Sequence, residues 1–243
     1  AVCNVPFYGE NTVAEHTFAL ILALSRNVHK SYVRGLRGDF SIDGLKGFDL
    51  KDKTLGVVGA GHIGLHVIRI AKGFGMNVLA SDTNQNKFLA EVLGFEYVSL
   101  DYLLANSDII TLHAPGGEAT HHLINKRNIK QIKKGVILIN TSRGSLVETD
   151  ALLEAMDKGI LAGAGFDVLE GEELIKEEKQ LLYDKENPEK LKQLLKDHII
   201  LNKDNVVYTP HIAFYSQEAL ERILETTVKN IKFFEDGKLQ NSV

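Results

Sequence analysis

The sequence predicts an α/β fold, a doubly wound parallel sheet with helices on both faces. Three observations predict it. Short apolar runs alternate with helical stretches along most of the 243 residues, as in successive βαβ units. One run, Gly135–Asn140, is nearly all apolar, as a central parallel strand buried on both faces requires. The turn Gly59-Ala60-Gly61-His62-Ile63-Gly64 stands between a strand-like run and a helix-like one.

Taken in order, residues 1–10 read as extended, punctuated by Pro6 and Gly9. Thr12 and Glu15 have the spacing of a capping box. The helix they open, 12–34, carries Phe18, Leu20, Ile21, Leu22, Leu24 and Val28 on more than one face, which predicts deep burial. His16 and His29 lie on it and read as packing or surface residues. Residues 35–53, rich in Gly and Asp, form a connecting loop. Thr54–Val58 is the first strand and Leu65–Lys72 its helix. Asn77–Ser81 is the second strand, Gln85–Leu93 a helix, Glu96–Ser99 a third strand and Leu100–Asn106 a helical turn. Asp108–Leu112 is a fourth strand, Asn125–Ile132 a helix, Gly135–Asn140 the central strand and Val147–Lys158 an amphipathic helix stopped at Gly159. Ile160–Phe166 and Asn205–Tyr208 are further strands, and Ser216–Glu235 is the last helix. Between them, Glu170–Asp197 is a charged insertion with leucines at helical spacing (Leu174, Leu181, Leu182, Leu191, Leu194, Leu195), read as surface helices.

The glycine turn carries the first chemical signal. In Gly-x-Gly-x-x-Gly the first glycine (Gly59) makes the tight turn, the second (Gly61) lets backbone approach a pyrophosphate, and the third (Gly64) lets helix pack on strand. The helix start offers free N–H groups to the anion. Asp82 closes the next strand 18 residues beyond Gly64, close to the spacing of a carboxylate that accepts from ribose hydroxyls. Thr83 and Asn84 follow it, with no Arg to take a 2′-phosphate, which favours NAD over NADP. The pattern predicts a Rossmann NAD-binding domain.

Composition narrows the class. Hydrophobic residues make up 44% and charged residues 25%, ordinary for a globular protein. A net charge of −4 offers no basic footprint for nucleic acid. The longest apolar run, Phe18–Leu24, is far short of the ~18 residues of a membrane span. The single cysteine, Cys3, excludes an internal disulfide framework, fits a reducing cytoplasm and reads as a small buried hydrophobe. The chain starts in mid-stride at Ala1-Val2-Cys3, which reads as a fragment lacking an N-terminal portion.

Three stretches follow strands, where open α/β sheets place ligands. In Asn140-Thr141-Ser142-Arg143-Gly144, an Arg after an apolar strand can fork onto a carboxylate or ketone oxygen. Gly165–Glu172 carries several carboxylates. Tyr208–Tyr215 carries His211, suited to proton transfer near neutral pH.

These motifs occur in a telling order: Val5-Pro6, Val13-Ala14-Glu15-His16, the glycine turn, His113-Ala114-Pro115, Asn140–Gly144, Phe166-Asp167-Val168 and Thr209-Pro210-His211. Over essentially its whole length the chain resembles the NAD-dependent D-2-hydroxyacid dehydrogenases. The resemblance implies that residues 1–10 end a substrate domain that is otherwise missing or truncated. It implies that 11–215 form the NAD-binding domain including linker helix 12–34, and that 216–243 return toward the substrate domain. It implies Arg143, Glu172 and His211 as catalytic residues. Arg143 binds and polarises a 2-oxoacid, and His211 protonates the developing alkoxide. Glu172 hydrogen-bonds His211, a nearby anion favouring imidazolium. Glu170 and Glu173 are neighbours with which Glu172 is easily confused. Cofactor contacts carry over to Gly59, Gly61, His62, Ile63, Gly64 and Asp82, to His113, Ala114, Pro115 and Thr120, and to Thr141, Ser142, Arg143, Asp167 and His211. Asp167 is expected to accept from the carboxamide. No metal is implied.

Ile212-Ala213-Phe214-Tyr215 and the long insertion are similar to the D-lactate and D-2-hydroxyisocaproate dehydrogenase branch, with Phe214 and Tyr215 as walls of an apolar pocket. The alternatives are a hydroxypyruvate or glyoxylate reductase, a phosphoglycerate dehydrogenase, or an NAD-sensing corepressor-like binding protein. Family members usually dimerise through the nucleotide-binding domain, and the apolar opening helix fits that. The expected partners are a small 2-oxoacid and a second copy of the chain, with neither nucleic acid nor membrane.

Overall fold

The computed structural model describes residues 1–172 and 188–243. Seven parallel strands form one sheet: β1 (Thr54–Val58), β2 (Asn77–Ser81), β3 (Glu96–Tyr97), β4 (Ile109–Leu112), β5 (Val136–Asn140), β6 (Leu161–Phe166) and β7 (Val206–Tyr208). Their order is β3-β2-β1-β4-β5-β6-β7. The direction of strand succession reverses between β1 and β4, the switch point where such sheets open a crevice at their carboxyl ends.

Alternation along β5 explains the two layers. Ile137 and Ile139 enter one core, with Phe18, Ile21, Leu55 and Ile68. Val136 and Leu138 enter the other, with Leu103, Leu112, Leu152 and Ile200. Burying each such aliphatic side chain contributes about 1.5–3 kcal/mol. Helices α1 (Glu10–Ser25) and α3 (His62–Gly73) supply the first layer. The second takes α5 (Leu100–Asn106), α6 (Thr149–Asp157) and α7 (Pro188–Leu201). A Cβ on Gly165 of β6 would come within 2.8 Å of Ile139 and 3.1 Å of Leu20, so that glycine lets α1 lie close on the sheet.

Several elements differ from the sequence reading. The opening helix begins at Glu10, with Gly9 as N-cap. Thr12 is therefore inside the helix, its hydroxyl 3.2 Å from Ser216 Oγ rather than capping. The predicted helix 12–34 is two helices. Asn27 takes a left-handed conformation (φ 52°), and α2 (Val28–Leu36) starts after it. Asn125–Ile132 is not a helix but an Asn-rich turn followed by one 3₁₀ turn, Ile129–Gln131. There Asn125 Oδ1 and Asn128 Oδ1 accept from backbone N–H groups, an alternative that competes with helix. Cys3 is half-buried rather than fully buried, bridging in antiparallel register to Ser242. Within the insertion, α7 buries Leu194 and exposes Leu191 and Leu195; Leu174, Leu181 and Leu182 lie outside the described residues.

The remaining α-helices among the described residues are α4 (Lys87–Leu93), capped by the Asn86 side chain, and α8 (Gln217–Glu235), capped by Ser216. Among the described residues no helix is long and apolar enough to cross a membrane.

Candidate active site

A cleft of about 360 Å³ lies over the carboxyl ends of the strands. The turn after β1 contributes Gly61, His62 and Ile63, β4 is followed by His113, and β5 by Thr141, Ser142 and Arg143. Asp167 follows β6, and His211, Ala213 and Phe214 follow β7.

The glycine turn is built for an anion. Gly59 has φ +93°, and a Cβ on it would meet Ala114 N and His113 C at 2.7 Å. A Cβ on Gly64 would lie 2.0 Å from Gly59 O, so α3 and β1 touch only through glycine. A Cβ on Gly61 would meet nothing within 4 Å and would enter open cleft. Gly61 caps α3 without any side-chain bond, leaving the helix N–H groups for a ligand. His113 adds a second sign of a ligand. Its Nε2 pairs with Thr111 Oγ1 at 2.9 Å, but its buried Nδ1 has no partner among the described residues. Burial pushes this imidazole down to about 3, so it is neutral. These features fit a dinucleotide, with its pyrophosphate on the turn.

Asp82 does not line the cleft. It ends β2 with Oδ2 accepting from Ala60 N (2.7 Å) and Oδ1 from Asn84 N (2.8 Å), which ties it to the glycine turn. The carbonyls of Ala114 and Pro115 are taken by neighbours: Ser142 Oγ, on the loop after β5, donates to Ala114 O (2.6 Å), and Thr120 Oγ1 donates to Pro115 O (2.6 Å). Neither they nor Thr120 line the cleft.

Of the three residues expected to be catalytic, Arg143 and His211 line the same cleft and Glu172 pairs with His211. His211 Nδ1 lies 2.6 Å from Glu172 Oε1, and Nε2 has no partner among the described residues. Glu172 stands behind His211, its Oε2 buried without a partner among the described residues. Glu170 is engaged elsewhere, with His122 Nε2 at 2.5 Å and the Thr149 hydroxyl at 2.7 Å. Arg143 is exposed at the cleft, and among the described residues no carboxylate lies within ion-pair distance of it. Its stem packs over Gly116, where a Cβ would sit 2.9 Å from Arg143 Cγ.

Asp167 is 1% exposed and already holds four donors or near-donors. Oδ1 accepts from Thr209 Oγ1 (2.5 Å) and Ile212 N (2.9 Å), Oδ2 accepts from Ala213 N (2.9 Å), and His16 Nε2 stands 3.5 Å from Oδ1. Tyr208 sits nearby, its phenol pushed up to about 12 by burial and then by Glu172, Asp167 and Asp197.

Phe7, Tyr8, Gly9, Glu10 and Val13 also line the cleft, and sequence reasoning missed them. They run from just after Val5-Pro6 to the start of Val13-Ala14-Glu15-His16, and nothing local in that stretch marks them as cleft residues. Phe214 lines the cleft as expected, whereas Tyr215 does not and is 65% exposed. One trio among the described residues, His121, His122 and Glu170, gathers possible metal-ligand atoms within 4.8 Å of one another, none of it lining the cleft.

Residues 18–213 match the family model described as D-isomer specific 2-hydroxyacid dehydrogenase, NAD binding domain. D-lactate dehydrogenase of Escherichia coli is 39% identical over 98% of this chain and 70% of its own length. An aromatic 2-oxoacid reductase of Clostridium sporogenes is 38% identical over 96% of this chain and 68% of its own. The crystal structure of Aquifex aeolicus D-lactate dehydrogenase, complexed with NAD and lactic acid, superposes with a TM-score of 0.88. It is 43% identical, covering 97% of this chain and 69% of that one.

Proposed function

Because this chain belongs to the D-isomer specific 2-hydroxyacid dehydrogenase family, we propose that it reduces a small 2-oxoacid of the pyruvate type to its D-2-hydroxyacid, with His211, Glu172 and Arg143 as the working residues. The protein is an NAD-dependent oxidoreductase that moves hydride between NAD(H) and a 2-oxoacid or 2-hydroxyacid. When bound, the nicotinamide supplies or takes the hydride.

The observation that carries the reading is the Glu172–His211 pair at 2.6 Å on a cleft that Arg143 also lines. With Nδ1 held by Glu172, His211 presents Nε2 to the substrate oxygen. It gives its proton to that oxygen as alkoxide charge develops, and takes it back in the reverse direction. The Glu172 carboxylate stabilises the imidazolium and fixes the ring. Arg143 has five donors; Nη1 gives one to Ser142 O (2.7 Å) and, among the described residues, none goes to a carboxylate, so the others can fork onto the oxoacid and polarise the ketone. When the cofactor is bound, the His62 and Ile63 N–H groups would hold its pyrophosphate, Asp82 would accept from the adenosine ribose, and His113, Thr141 and Asp167 would border its nicotinamide end. The D-lactate-like branch rests on the relatives' names and on apolar Val13 and Phe214 in the cleft. The test follows NADH absorbance with pyruvate, hydroxypyruvate, glyoxylate and a branched 2-oxoacid. Pyruvate is expected to be used well; no oxidation with any of the four would overturn the reading.

We also propose a homodimer and a cytoplasmic setting. The face of α1 once expected to pair is spent on the chain's own core. Exposed apolar side chains stand on α2 and the loop after it, at Tyr32, Leu36, Phe40 and Ile42, and hiding them favours association. Sedimentation giving a monomer at micromolar concentration would overturn this. The lone half-buried thiol fits a reducing compartment.

A further inference from the structure

Helix α1 is almost wholly apolar where it meets the sheet, yet two adjacent polar side chains reach the active-site loops from it. Thr17 Oγ1 donates its one hydrogen to Val13 O (2.8 Å) and so accepts from Thr141 Oγ1 (2.9 Å), two residues before Arg143. His16 Nε2 lies 2.9 Å from Thr209 Oγ1, two residues before His211.

The direction of the second bond follows from counting hydrogens. A threonine hydroxyl has one, and at Thr209 it goes to the Asp167 carboxylate at 2.5 Å. Thr209 Oγ1 must therefore accept from His16, which requires hydrogen on Nε2. Burial lowers the His16 pKa while Asp167 opposes the shift, so the neutral Nε2–H tautomer is the resting form.

The loop this relay reaches needs holding. His211 has φ +55°, a left-handed conformation that costs a non-glycine residue about 1–3 kcal/mol unless its surroundings over-determine it. Asp167 does that: its carbonyl accepts from His211 N (2.9 Å), and its carboxylate accepts from Ile212 N and Ala213 N. A carboxylate 1% exposed tolerates its charge only with every donor in place.

We propose that His16 is a positioning residue for the reaction: as an Nε2–H donor it orders Thr209 onto Asp167, and Asp167 in turn fixes the strained backbone that aims His211 at the substrate. This rests on His211 being the acid/base. The expected consequence is a loss in the chemical step rather than in binding, because misplacing an acid/base by a fraction of an ångström spoils proton transfer while leaving the cleft intact.

The experiment compares His16→Ala, His16→Gln, Thr209→Val and the double variant His16→Ala/Thr209→Val, with His211→Ala as control. His16→Ala should lower kcat about tenfold, with the oxoacid KM and NADH affinity within about twofold of the parent. His16→Gln, which keeps an N–H near the same place, should recover most of kcat. Thr209→Val should match His16→Ala, and the double variant should be no worse than the poorer single, since both cut one relay. Side-chain ¹⁵N NMR should show His16 as the Nε2–H tautomer. Should His16→Ala fail to fold, Thr209→Val and the NMR tautomer carry the test. An inactive His211→Ala beside unchanged kcat in His16→Ala or Thr209→Val would overturn the inference alone, as would an Nδ1–H tautomer or equal loss in His16→Gln and His16→Ala. An active His211→Ala would instead bring down the acid/base reading beneath it.

Discussion

Two turns at the carboxyl end of one sheet solve opposite problems. The turn after β1 is made of glycines and presents backbone; the turn after β7 is made of side chains and presents His211. Both contain a left-handed residue, Gly59 at φ +93° and His211 at +55°. Glycine adopts that conformation at no steric cost, so the first turn needs only space, and its neighbours Ala114 and Gly64 press on it closely. Histidine does not, so the second turn needs partners, and Asp167, Thr209 and Glu172 supply them. A phosphate site can be written in residue types alone, whereas an acid/base site depends on what surrounds it.

The sharpest way to break this contrast is His211→Ala. It should cut kcat by about 10²–10⁴-fold while NADH affinity stays within a few-fold, since the cradle lies on another loop. Stopped-flow turnover and NADH fluorescence titration read the two effects separately. Substantial turnover would remove His211 as the acid/base.

Arg143 tests whether the side-chain half of the cleft also selects substrate. Arg143→Lys keeps the charge but loses the planar fork. A charge-assisted hydrogen bond is worth about 1.5–3 kcal/mol, so the oxoacid KM should rise about 10- to 100-fold with NADH binding unchanged. An unchanged KM would mean that the substrate carboxylate is held elsewhere.

The glycine turn can be split internally. Gly64→Ala puts a methyl 2.0 Å from Gly59 O, and overpacking of this kind costs about 1–3 kcal/mol or more, so Tm should fall. Gly61→Ala meets nothing in the protein, so Tm should hold while NADH binds about tenfold more weakly, the methyl projecting where the pyrophosphate belongs. Equal NADH affinity in Gly61→Ala and the parent would put the phosphates elsewhere.

The same contrast explains what was legible in the sequence. Strands β1 to β7 and the glycine turn were readable because apolar runs and glycine have local causes. Arg143, Glu172 and His211 were readable only through the order of motifs; that Glu172 rather than Glu170 meets His211 depends on a turn whose partners are distant in sequence. Local pattern failed where side chains bonded backbone. Asn125 and Asn128 replace a helix with a turn, and Asn27 breaks the opening helix into two. Thr12 and Glu15 looked like a cap, but Gly9 is the N-cap and Thr12 faces Ser216 instead. The contribution of residues 7–13 to the cleft had no local signature, because it arises from where α1 lies on the sheet.

The smallest effect concerns His113, which belongs to the cradle but is a side chain. Its folded pKa is about 3 through burial, against an ordinary value of 6.5. Below 6.5 the unfolded chain takes up a proton that the folded one refuses, so the unfolded state gains stability as pH falls toward 3. Above 6.5 neither state binds it, and no such loss occurs. Each pH unit inside that window therefore costs the fold about 1.4 kcal/mol from this group. His113→Gln should flatten the acid limb by that slope in urea unfolding measured between pH 6 and 4, with other titrating groups cancelling in the difference. Parallel acid limbs for parent and variant would mean that the imidazole is protonated in the folded state, both ring nitrogens then being donors, with Nδ1–H left to seek an acceptor.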